Sequence, residues 1–402
     1  MVRIVVAKHR LPYPAVTGTD VVTFNLLRAL ATRHDVTFVS LIVSEKQRDC
    51  APAFERIGVR LVPVMMPNKK SLFARAAYKF FYGAASWLSA SPLELWYFNP
   101  PAFRRAVAEA CAGADLLQCE YWLLYPTAAA ARRVKKVLLK HDAEFNANRR
   151  LLAITGSPLV KFRRWLRYLH RRGYELAACR KFDHLLCLSR VDAELLAPYA
   201  RRPPGVVLPV VDLPPEGQLC RGFDSATLIY FGGTRRPANS QGLEVLLKDI
   251  YPRVKSAVAN VNLVIRGEAP TRGLLRLGRG DPSVAFEPTA EELGPELARA
   301  SVAVVPLWAG SGIKIKILTA LAHGLPVVTT PVGGEGIPAR DGAEIVVAET
   351  AAGFADAVVH LLTDGERWRE LSQGARRFAE RQLSPAARDD EVAQLYDELA
   401  RS

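Results

Sequence analysis

Short apolar runs recur along the chain, each closed by a charged or turn-forming residue and followed by a stretch whose apolar positions fall three or four apart. The first covers 2–7. A loop with Pro12, Pro14 and Gly18 follows, then Val22, Leu26, Ala29 and Leu30 at helical spacing, with Asp20 the expected helix cap. Further β-branched or leucine-rich runs occupy 35–43, 59–65, 114–120, 135–142 and 182–189. Strands alternating with helices in this way predict parallel βα units. A proline-rich stretch of weak periodicity, RRPPGVVLPVVDLPPEG (201–217), interrupts the series. Strands then resume at 227–233, 262–268, 283–288, 301–307, 325–331 and 344–348, with helices expected around Leu243–Ile250, Phe354–Leu362, Arg367–Arg381 and Asp390–Leu399. The fold class is therefore α/β, with two sheet-centred halves on either side of a hinge. Open parallel sheets bind ligands beyond the carboxyl ends of their strands, which makes a cleft between the halves the expected site.

Composition agrees with two domains, since 402 residues exceed what one core covers and half of them are apolar. No apolar run approaches the roughly 20 residues that span a bilayer. The opening MVRIVVAKHR is too short for the core of a signal peptide and reads as a first strand. The six cysteines form no CxxC pair, which argues against structural zinc and a disulfide framework and points to a cytoplasmic compartment, each thiol acting as a small buried apolar group.

Charge adds something the pattern does not. Of the +14 net charge, residues 1–202 hold 33 Lys and Arg against 15 Asp and Glu, whereas 203–402 hold 21 against 25. Such an asymmetry marks a surface that meets anionic partners. Two stretches of the first half interleave cations with aromatics, 69–87 and 161–182. In the second, Arg163, Arg167 and His170 or Arg171 recur at helical spacing, as do Phe162, Trp165 and Leu169 or Leu166. A basic amphipathic helix of this kind is expected on an anionic membrane surface, here the inner face, as a peripheral attachment. The alternative is a helix with its aromatics in the core and a solvated basic face. No nucleic-acid module is present, so no nucleic acid is expected as a partner.

The candidate chemistry centres on the run SVAVVPL, which leads through WAGSGIK into a helical stretch over Ile315–Ala322, ended by Gly324 and Pro326. A strand, a Gly-Ser-Gly turn and a helix start aim backbone N–H groups and a positive helix end at one point, which suits a phosphate. Lys314 and Lys316 add positive charge. The GxG lacks the third glycine of a dinucleotide fingerprint, and its lysine is not placed as in a Walker motif. By themselves these residues fit either a phosphate site or a structural turn.

The longer stretch GSGIKIKILTALAHGLPVVTTPVGGEGI (310–337) resembles the donor-binding segment of the retaining glycosyltransferases of family 4, GSGxxxKxLEAxAxGxPVVxTxxGxEG. FGGTRRPAN (231–239), RGEAP (266–270), VVLPVVD (206–212) and PYPAVTGTD (12–20) resemble other segments of that family, so the likeness covers nearly the whole chain. It implies the GT-B architecture of two Rossmann-like domains: an acceptor-binding domain over 1–206, a sugar-nucleotide-binding domain over 207–384, and a helix over 385–402 crossing back to the first.

The implied activity is metal-independent transfer of a hexosyl or related sugar, with retained configuration, from a nucleoside-diphosphate sugar to a hydroxyl acceptor such as a glycan, a lipid-linked saccharide or a natural product, in the manner of polysaccharide biosynthesis. No cofactor is implied beyond the donor substrate. Lys316 takes the family's diphosphate-neutralising role, with Arg235 or Arg236 as a second cation, and His141 matches the strand-end histidine beside the donor sugar and phosphate. Gly18 and Thr19 lie in the first glycine loop, where a second glycine is common in place of Thr19. Gly233, Gly267, Gly310, Ser311, Gly312, Thr319 and Glu335 complete the implied donor site. His323 is expected on a helix surface. The chain departs from the family at the two glutamates eight positions apart, which here are Ser311 and Thr319. A neutral hydroxyl at 319 forgoes a charge-assisted bond to a ribose worth about 1.5–3 kcal/mol. That departure keeps open a degenerate GT-B protein that binds a nucleotide or partner without transfer, and a GT-B sugar-nucleotide epimerase.

Overall fold

β-Branched runs covered on both faces by helices become buried parallel strands. The computed structural model describes residues 1–402 other than 16, 68–79, 82–91, 154–156, 269 and 291–292. The strands gather into two units, one comprising Met1–Pro209 with Arg388–Ser402 and the other Val210–Ala387. The stretch 69–87 lies outside the described residues except for Phe80 and Phe81, both exposed.

In the first unit the described residues form seven parallel strands: β1 (Arg3–Lys8), β2 (Asp35–Ile42), β3 (Val59–Met65), β4 (Leu116–Glu120), β5 (Lys135–Lys140), β6 (His184–Cys187) and β7 (Gly205–Val206). Their order is β3-β2-β1-β4-β5-β6-β7. Val5, Ala7, Leu117, Cys119 and Leu138 line one core face of this sheet. β7 falls inside the proline-rich break, where two paired residues leave no periodic signal. Helix α1 (Gly18–Ala31) has Thr17 as its N-cap. Asp20 is therefore not the cap residue itself. It sits one turn inside, where its carboxylate accepts hydrogen bonds from the Thr17 hydroxyl at 2.6 Å, the Thr17 N–H at 3.3 Å and Arg10 at 2.7 Å.

The last turns of helix α2 (Pro158–Cys179) bury Glu175, Leu176, Ala178 and Cys179. Its earlier turns expose Phe162, Trp165, Leu166 and Leu169 alongside Lys161, Arg163 and Arg167. These aromatics are not core residues. Among the described residues no helix is long and apolar enough to cross a membrane.

The second unit carries β8 (Thr227–Phe231), β9 (Asn262–Arg266), β10 (Val284–Glu287), β11 (Val302–Val305), β12 (Val327–Thr329) and β13 (Val346–Val347), in the order β10-β9-β8-β11-β12-β13. Tyr230, Leu263, Val304 and Val328 are buried in its core. The helix expected around Leu243–Ile250 starts earlier, at Pro237, and continues through a π turn over Leu246–Ile250 into Tyr251–Ala257. Helix α3 (Ile315–Ala322) follows β11.

In each sheet the order reverses once, at β1/β4 and at β8/β11. The loops leaving the two strands at such a point run to opposite faces, which opens a crevice at their carboxyl ends. The C-terminal helix (Pro385–Arg401) closes the first unit. Its Tyr396 hydroxyl donates to the buried Gln118 side chain of β4, and its Ala393 carbonyl lies 2.9 Å from His34 Nε2.

Candidate active site

In the second unit the residues singled out from the sequence lie on the segments that follow β8, β9, β11 and β12 and on α3. Gly310 and Gly312 adopt φ of 121° and 72°, values that favour glycine, so the chain reverses tightly between β11 and α3. Lys314 donates to the carbonyls of Ser311 at 3.2 Å and Gly312 at 2.5 Å. It staples the turn. Lys316, in the first turn of α3, is half-buried and points back to β8: its ammonium donates to the Tyr230 hydroxyl at 2.9 Å and lies 4.1 Å from the centre of that ring. Burial, then the positive charges of Arg236 and Lys314, bring the Lys316 pKa down to about 7. A cation held among cations, with a neutral phenol as partner, is arranged to receive an anion.

The β8 and β9 loops close against this lysine. At Gly232 (φ 124°) a Cβ would stand 3.1 Å from Lys316 Nζ. At Gly267 a Cβ would stand 2.4 Å from the Gly232 carbonyl, so the two loops touch through bare backbone. Gly233 follows, its carbonyl accepting from Asn239 at 2.6 Å, which makes the Pro237–Asn239 segment the brace of this loop. Arg235 and Arg236 are both exposed, and Arg236 is the one whose charge reaches Lys316.

Thr319, one turn further along α3, donates its hydroxyl to the Ile315 carbonyl at 3.0 Å. Glu335 ends the short helix Pro331–Gly334 that follows β12, beside β11 in the sheet. His323 is buried, contrary to the surface position expected. It is the C-cap residue of α3, with Nδ1 2.9 Å from the Thr319 carbonyl.

In the first unit His141 follows β5 directly, and Gly18 and Thr19 begin α1 beyond β1. The structure surrounds them with residues the sequence reading left out. Lys8 ends β1 and Glu120 ends β4, the two strands of the switch point. Both are buried, 3.2 Å apart. Lys8 also donates to the Thr19 carbonyl at 3.0 Å. Glu120 Oε2 accepts from the Thr23 hydroxyl at 2.5 Å and lies 3.2 Å from His141 Nε2.

Burial alone would raise the Glu120 pKa, but Lys8 and the hydrogen bonds from His141 and Thr23 bring it down to about 2. Burial draws the Lys8 pKa down, opposed by Glu120 and Asp20. Burial, then the charges of Lys8 and Arg10, push the half-buried His9 down to about 3, so that it is neutral. Tyr121 lies flat on His141, ring centres 4.9 Å apart at 13°. The available signal was a charged residue closing an apolar strand, as in RIVVAK and LLQCE, at the end where such sheets bind ligands.

Comparison with known proteins adds family to geometry. Residues 17–210 match the model of a glycosyl transferase 4-like domain and residues 225–364 that of the group 1 glycosyl transferases. A Klebsiella pneumoniae protein described as an uncharacterized 44.6 kDa protein in the cps region is 24% identical over 161 residues, 38% of this chain and 42% of that relative. The aligned part thus spans under half of the relative's length.

Sucrose-phosphate synthase from Thermosynechococcus elongatus superposes with a TM-score of 0.72 at 18% identity, over 100% of both chains. S. aureus TarM in complex with UDP does so at 0.71 and 10% identity, over 100% of both chains. Anabaena HepE with UDP and glucose does so at 0.66 and 12%, over 99% of this chain and 100% of that one. At these identities the likeness is one of fold.

Proposed function

This chain belongs with the glycosyltransferases of GT-B fold, carrying a 4-like domain followed by a group 1 domain, and on that premise we propose that it moves a sugar from a nucleoside diphosphate to a hydroxyl acceptor with retained configuration. The observation that carries this reading is Lys316, set on Tyr230 at the switch point with Gly232 against its ammonium and no carboxylate among the groups that displace its pKa. An ammonium beside a glycine-lined crevice meets the negative charge that grows on the leaving diphosphate, where fixed positive charge lowers the barrier most. In this reading the second unit holds the donor and needs no metal, and the first unit holds the acceptor. His141 addresses the transferred sugar. The leaving phosphate takes the acceptor's proton on the same face, so that the protein's part is placement and charge. The complexes of HepE and TarM with UDP support a nucleotide ligand for this fold.

Calorimetry against a panel of nucleoside diphosphates, followed by turnover of the matching nucleotide sugars, tests the reading. One diphosphate is expected to bind and its hexosyl derivative to be slowly hydrolysed without acceptor. Absence of binding across the panel would refute it.

The exposed turns of α2 support peripheral attachment to an anionic membrane, with a lipid-linked saccharide as acceptor. Their aromatics are of the size that enters the headgroup boundary, and each nearby cation contributes about 1 kcal/mol at such a surface. In flotation assays the protein is expected to rise with vesicles containing phosphatidylglycerol and to be released by salt. Replacing Arg163, Arg164 and Arg167 with glutamate should abolish flotation. Equal binding to neutral vesicles would rule out the electrostatic form of the idea.

A further inference from the structure

The ion pair at the first unit's switch point does something specific to His141. Glu120 Oε2 is a shared acceptor for Lys8, Thr23 and His141, at 3.2, 2.5 and 3.2 Å. An ionised carboxylate only accepts, so the imidazole nitrogen facing it, Nε2, must carry hydrogen. In a neutral ring the other nitrogen, Nδ1, is then a bare lone pair. His141 is 6% exposed, and among the described residues its Nδ1 is buried without a hydrogen-bond partner.

The ring plane is fixed as well. Tyr121 stacks on His141, and His9 packs edge-on against Tyr121 at 5.1 Å. Tyr121 achieves this with φ 76° and ψ 136°, a backbone region that costs a non-glycine residue about 1–3 kcal/mol and is tolerated where surrounding packing over-determines it. The carboxylate, the ammonium and the stacked ring thus leave His141 one orientation and one tautomer.

We propose that Glu120 is a positioning residue: with Lys8 as its counter-ion it holds His141 in the Nε2–H tautomer and presents Nδ1 as an acceptor for a hydroxyl hydrogen of the sugar ligand. For the neutral ring the tautomer follows from the hydrogen bond to the Glu120 carboxylate. The sugar hydroxyl rests on the glycosyl-transfer reading.

Two measurements on the full chain separate these. Long-range nitrogen–proton NMR of the labelled protein, with the His141 signals assigned by loss in His141→Gln, is expected to show a protonated Nε2 and a bare Nδ1. A proton on Nδ1 would overturn the proposal whether or not the protein transfers sugar. In the charge-neutral pair Lys8→Met/Glu120→Leu the tautomer preference should vanish and kcat should fall about 10- to 100-fold, as is usual for lost partners behind a reacting group, while KM for the donor changes less than threefold. If that variant keeps both the tautomer and the rate, the proposal is wrong. If it does not fold, or if no nucleotide sugar turns over, the wild-type tautomer decides.

Discussion

Replacing Lys316 with alanine is expected to weaken nucleoside diphosphate binding about 10- to 100-fold, the loss of one charge-assisted contact of about 1.5–3 kcal/mol. The proton balance gives this prediction a second edge. Burial and the charges of Arg236 and Lys314 bring the unliganded Lys316 pKa down to about 7. A bound diphosphate opposes both effects and raises it, so binding takes up a proton between pH 7 and the higher liganded value. Affinity should therefore fall as pH rises above 7, and proton uptake should appear as a buffer-dependent binding enthalpy in calorimetry. In Lys316→Arg the guanidinium stays protonated throughout this range, so the pH slope should flatten even if affinity drops. Equal affinity of wild type and Lys316→Ala at pH 7 would remove the lysine from the site.

The second large effect is expected at His141. With alanine there, kcat should drop about 10²- to 10³-fold, the range seen when one preorganised polar partner of the reacting group is removed. The nucleoside diphosphate affinity of the second unit should change less than twofold, since the residue belongs to the first unit. Steady-state rates and calorimetry on one preparation distinguish this from misfolding, which would depress both. A variant with full turnover would confine His141 to a packing role against Tyr121.

How much of this was legible in the chain depends on the kind of signal. The strands were, because parallel strands buried on both faces are written as continuous apolar runs. Twelve of the thirteen described strands overlap the predicted runs, and the exception, β7, is two residues long within a proline-rich break. The Gly-Ser-Gly turn and Lys316 stood out because glycine spacing and lysines beside it at a helix start are local features. Tyr230 did not, since a buried tyrosine in TLIYF looks like any core aromatic until its hydroxyl is seen against Lys316.

Lys8 and Glu120 escaped for a related reason: their pairing depends on β1 lying next to β4, a neighbour relation across 112 residues that periodicity does not carry. His323 was misplaced because a polar residue near a helix end suggests solvent, whereas the Gly324 turn folds it inward onto its own helix carbonyl.

The C-terminal helix sets an order on synthesis. Residues 388–402 belong to the first unit but leave the ribosome after the whole of the second. Until they arrive, the Gln118 side chain on β4 lacks Tyr396, and the sheet face two residues from Glu120 stays uncovered. Removing residues 388–402 is therefore expected to leave the first unit incomplete, while the second keeps all of its own residues. Such a truncation takes from β4 the hydroxyl that bonds Gln118, two residues before Glu120 in the strand that carries the buried Lys8–Glu120 pair.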